Sequence, residues 1–99
     1  MNKLVLSGEV IQVEPLRYTP AGLPLLSFTV HHASEQMEAG MGRKVECELP
    51  VVAIGEIARQ AQQITPGSQV RLAGFLAKRS LKSTQPVLHL NAIEIMKDC

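Results

Sequence analysis

Apolar residues recur at every second position through most of this chain, the period of strands with one covered face. In LVLSGEVIQV, Leu4, Leu6 and Val10 share a parity that Gly8 interrupts, so a long first strand over Lys3–Val13, bending at the glycine, is predicted. A second strand is predicted from Pro24 to His32. Between them, Thr19-Pro20-Ala21-Gly22 places proline where a turn needs a fixed φ and glycine where it needs a positive one, which makes a hairpin tip. SEQMEAGMG, from Ser34 to Gly42, has no period and two glycines, and is expected to be a flexible loop. Alternation resumes in KVECELPVV, with Val45, Cys47, Leu49 and Val51 on one face and Lys44, Glu46, Glu48 and Pro50 on the other. The first set is expected to face inward, which makes Cys47 an inert core thiol.

After this third strand the period changes. Ile57, Ala61 and Ile64 recur at spacings of four and three, so GEIARQAQQI predicts a short helix that PGS ends. QVRLAGFLA returns to alternation through Val70, Leu72, Gly74 and Leu76, and VLHLNAIEI follows the polar break KRSLKSTQP as a fifth strand. Phe28 and Phe75 sit in apolar strands and are expected in the core. Five strands, a helix between the third and fourth, and a glycine-kinked first strand fit an all-β, five-stranded Greek-key barrel of the OB-fold type. An SH3-like barrel has a similar element count.

Size and composition narrow the function. With 99 residues, the chain is expected to be one domain spanning residues 1–99, too small for a deep substrate cavity, so a binding module is expected. It is 45% hydrophobic and 19% charged, a globular balance, and no apolar run reaches the roughly 20 residues of a membrane span. The start, MNKLVLSGEV, lacks the apolar core and cleavage site of an export signal, and two cysteines, Cys47 and Cys99, are too few for a disulfide framework. A soluble cytoplasmic protein with free thiols is expected. No nucleophile motif, phosphate loop or metal-ligand spacing is present, so neither an enzyme nor a cofactor is expected. His31 and His32, adjacent on a strand, point to opposite faces and cannot easily share a metal.

Net charge is only +1, but its distribution is uneven. Arg17 and Tyr18 lie in the first hairpin, Arg43 and Lys44 open the third strand, and Lys78, Arg79 and Lys82 crowd the last loop. Single strands of nucleic acid are held by cations along the phosphates and by planar groups under the bases. These seven residues are therefore the candidate nucleic-acid-binding set, helped by Ser80, Ser83 and Thr84 as donors to phosphate. Each segment alone is also what a solvated loop or a charge-blunted strand end supplies; their concurrence at the loops an OB-fold uses favours binding.

NKLVLSGEV, RYTPAGLPLLSF and PGSQVRLAGFLAKRS together resemble the bacterial single-stranded DNA-binding proteins, and over essentially the whole chain the short primosomal members of that family. The resemblance implies an OB-fold homodimer that binds single-stranded DNA and assists PriA helicase and DnaT in replication restart. Two departures stand out. Where relatives offer an aromatic ring on the outward face of the third strand, this chain has Glu46 and Glu48, and carboxylates repel a phosphate backbone. The long acidic tail of the larger relatives is also missing, which argues against general coating of single strands. A protein-interaction adaptor on the same fold, with the acidic strand as part of its dock, is the alternative.

Overall fold

The structure, a computed structural model, describes residues 1–96. The elements in chain order are β1 (Leu4–Val13), β2 (Arg17–Tyr18), β3 (Pro24–Glu38), β4 (Met41–Ile54), α1 (Glu56–Ala61), β5 (Gln69–Lys78) and β6 (Pro86–Met96). Adjacent strands run β1-β5-β6-β4-β3, and β1 also pairs with β3, so the five long strands close on themselves. All pairings are antiparallel except β4 with β6, where Val51 faces Leu88 and Val52 faces His89. This is the OB-fold barrel, with two-residue β2 added at the edge of β3.

β1 closes the barrel by changing partners along its length: Leu4 to Glu9 pair with β5, and Glu9 to Val13 pair with β3. Gly8 sits where β1 crosses β3, and a Cβ there would lie 2.6 Å from the His31 carbonyl oxygen. The register slips between Val10 and Gln12, a bulge of the kind that lets a sheet coil tightly.

The interior is filled by the inward parity of the strands. Val10, Leu26, Phe28, Val30, Val51, Val70, Leu72 and Leu88 are buried together. Helix α1 is six residues long, too short to persist alone, and is held by burying Ala58 and Ala61 against the barrel. Ile57 packs at the same cluster and Ile64 is buried beyond the helix end, as the predicted apolar stripe requires. The turn Thr19–Gly22 also forms as expected: the Gly22 N–H donates to the Thr19 carbonyl, and Gly22 has φ of 83°.

The expected loop at Ser34–Gly42 is instead strand. β3 and β4 continue as one long hairpin whose register runs from Leu25↔Ile54 to Glu38↔Met41. Ala39 (φ 52°) and Gly40 (φ 76°) make a two-residue tip in which both residues have positive φ, the turn that suits the twist of a hairpin. Beyond about His32 the hairpin leaves the barrel as an arm with water on both faces, so nothing imposes an apolar period there. The same geometry overturns the inward placing of Cys47, which is exposed because it lies on the arm, beyond the residues of its face, Leu49 and Val51, that pack at the barrel core. His32 braces the root of the arm, with Nδ1 2.6 Å from the Ser7 carbonyl oxygen and Nε2 2.8 Å from Ser34 Oγ.

Two further inward assignments fail on β5. Leu76 is exposed, and Phe75 is 38% exposed on the outer face of the sheet. Among the described residues no helix is long and apolar enough to cross a membrane. Cys99 lies outside the described residues.

Candidate nucleic-acid interface

Alternation along β3 and β4 turns one set of residues outward, and paired registers place them side by side: Leu25 with Ile54, Ser27 with Val52, Thr29 with Pro50. These six residues floor a groove of about 480 Å³. Its rims come from distant parts of the chain. Arg17 of β2 reaches it from one side because its register partner is Leu25 on the floor, and Arg79 reaches it from the β5–β6 loop. Glu14 is the one carboxylate among the lining residues. Two guanidiniums over a floor of hydroxyls and aliphatic groups can accept an anionic chain on the rims and apolar or planar groups between them.

The structure thus brings Arg17 and Arg79 together, and places the other predicted residues around them. Tyr18, 66% exposed, is opposite Pro24 and does not line the groove. Lys78 ends β5 and Lys82 lies in the following loop, both exposed and both within four residues of Arg79. That loop is tied to itself, the Arg79 N–H donating to the Gln85 carbonyl and the Gln85 N–H to Ser83 Oγ. Arg43 and Lys44 sit on the arm, and as adjacent strand residues they take opposite faces. Arg43 pairs with Glu38 at 2.9 Å; Lys44 lies 4.0 Å from Glu46 and opposite Glu35 in register.

The outward face therefore changes sign along its length. At the barrel it carries Arg17 and Arg79; on the arm it carries Glu35, Glu46 and Glu48 with Lys44. An anionic strand lying in the groove is attracted at the barrel and repelled toward the arm.

The sequence reasoning missed His89, which lines the groove, and Phe75, which stacks on it. They are register partners on β5 and β6, and their rings stack at 5.1 Å between centroids and 11° between planes. The signal was present: if Val70, Leu72 and Gly74 face inward, Phe75 between Gly74 and Leu76 must face outward. Its hydrophobicity hid its parity.

Comparison with known proteins agrees with this architecture. A family model described as "Another single-strand binding protein family" matches residues 2–92. The replication restart protein PriB of Nitrosomonas europaea is 40% identical over 95 residues, covering 96% of this chain and 88% of that protein. The solved structure of PriB from Ralstonia solanacearum superposes with a TM-score of 0.87 at 31% identity, covering 98% of this chain and 99% of the other. A single-stranded DNA-binding protein from Thermus aquaticus, 20% identical, has the same fold with a TM-score of 0.80 over 98% of this chain and 51% of its own. With a barrel of this topology and relatives matched almost end to end, the chain belongs to the PriB family of replication restart proteins.

Proposed function

We propose that the protein binds single-stranded DNA along the groove between β2 and the β5–β6 loop and serves in replication restart as a binding protein, not an enzyme. The observation that carries this reading is the convergence of Arg17 and Arg79, 62 positions apart by their numbering, on one groove with a nearly carboxylate-free floor. Lys78 and Lys82 extend the cationic rim. Tyr18 flanks the path, Glu46 and Glu48 turn the strand away from the arm, and Arg43 and Lys44 would meet only a strand long enough to pass those carboxylates. On this reading one domain, residues 1–99, works in the cytoplasm, with PriA helicase and DnaT as the restart partners that the sequence resemblance implies.

The protein acts as a homodimer. Leu4–Leu6 of β1 pair with β5 on one side, while β3 and the His32 ring reach β1 only from Ser7 onward, so this stretch offers a free strand edge beside exposed Val5. Sedimentation is expected to give twice the chain mass; a monomer at micromolar concentration contradicts it.

The test of binding is a fluorescence-anisotropy titration of a labelled dT oligomer at two salt concentrations. Saturable binding that weakens with salt is expected, and replacing Lys78, Arg79 and Lys82 together by alanine is expected to lower affinity and flatten the salt slope. The acidic outward face of the arm favours a second reading, an adaptor that docks a basic protein surface. No binding at micromolar protein would leave that reading alone.

A further inference from the structure

We infer that the imidazole face of His89, backed by Phe75, seats one base of the bound strand over Val52; the inference rests on the single-strand reading above. Four observations lead there. Nearly parallel rings 5.1 Å apart put Phe75 over one face of His89, and His89 itself lines the groove. The neighbour of His89 on its other side is Val52 of β4, its parallel register partner and part of the groove floor. The imidazole is thus the boundary between the ring pair and the groove.

The pair is also held in place. A Cβ on Gly74 would collide with the His89 carbonyl, so the two backbones approach as closely here as a glycine permits, and the adjoining rings have little room to part. Third, planar groups are scarce. The chain has one Tyr, two Phe and no Trp. Phe28 lines the groove but is only 3% exposed, Tyr18 lies off it, and His89, backed by Phe75, is the more accessible ring along it. Finally, Phe75 is 38% exposed on an outer sheet face, where it backs the imidazole and not the core, and a base on the other imidazole face would extend the stack to base, imidazole and phenyl. Arg79 on the same rim is positioned for the phosphate of the nucleotide so seated. Stacking of this kind tolerates any base, which suits a protein that must bind whatever sequence a fork exposes.

The experiment compares a dT oligomer with an abasic oligomer of the same length and backbone, each titrated with the full-length protein and its Phe75→Leu, His89→Leu, His89→Phe and Arg79→Ala variants. Phe75→Leu and His89→Leu are expected to weaken dT binding by about tenfold, within the range a stacked base supports. Both should leave abasic binding and the salt slope unchanged. His89→Phe, which restores a ring, should keep dT affinity, and Arg79→Ala should weaken both oligomers. In NMR spectra of the intact protein, the His89 ring protons should shift upfield with dT and not with the abasic chain. If the two leucine variants bind dT like the native protein while Arg79→Ala does not, the base seat is wrong and the single-strand reading stands. Equal losses for dT and abasic oligomers would make the pair structural and also overturn the seat. If the native protein binds neither oligomer, the single-strand reading fails and the seat with it.

Discussion

Gly74 and Gly8 mark the two places where backbone approaches backbone too closely for any side chain, one beside His89 and one beside His31. Neither has a positive φ, so their requirement is space and not conformational freedom. Gly74→Ala is expected to cost about 1–3 kcal/mol, because a carbonyl in a sheet cannot yield as a flexible side chain can. A thermal melt reads this loss, and an unchanged melting temperature would mean β5 and β6 can separate freely at Phe75. Burial also decides the chemistry of Cys47. An exposed thiol on the arm should react with an aromatic disulfide reagent in the folded protein, measured in a Cys99→Ser background, as fast as in the unfolded chain to within about tenfold; protection well beyond that would place it in contact with something. Cys47 and Phe75 were misread for opposite reasons. Cys47 shares the parity of core residues but lies beyond the core, and Phe75 has a core residue's chemistry on the wrong parity.

At the scale of elements, what the sequence revealed depended on whether a core was there to impose a pattern. Residues 24–30 of β3 alternate between buried and half-buried, and that segment was readable as strand. Residues 34–38 continue the same strand with water on both sides, and their composition carries no period. The barrel, the helix position and the first turn could all be derived. The arm could not, nor could the partner change of β1, which depends on strands far away in sequence. Of the candidate site, the two arginines on the rims were found from loop composition and the ring pair was not, because its two members meet only across β5 and β6. The tip of the arm offers a test of its own. Ala39 adopts a positive φ that costs a residue with a Cβ about 1 kcal/mol, and Asn tolerates it better. Ala39→Asn should therefore slow amide hydrogen exchange in the outer arm by about threefold while leaving the barrel amides unchanged; faster exchange would contradict the turn.

For the molecule as a whole, a net charge of +1 conceals two fields of opposite sign on one continuous face. The barrel end gathers arginines from β2 and from the β5–β6 loop, and the arm carries Glu35, Glu46 and Glu48. Such an arrangement favours a short, oriented path for a polyanion over a long wrapped one, and leaves the arm for contacts that phosphate does not contest. The path depends on the β2–β3 and β4–β6 pairings, which carry β2 and the β5–β6 loop to the two sides of the same sheet face. The most direct test is the salt dependence of dT binding for the native protein and the Arg17→Ala/Arg79→Ala double variant. Each cation on a single-strand phosphate contributes about 0.7 to the slope of log affinity against log salt, so the double variant should bind more weakly with a slope smaller by about 1.4. A double variant with the native affinity and the native slope would show that the strand does not run through this groove.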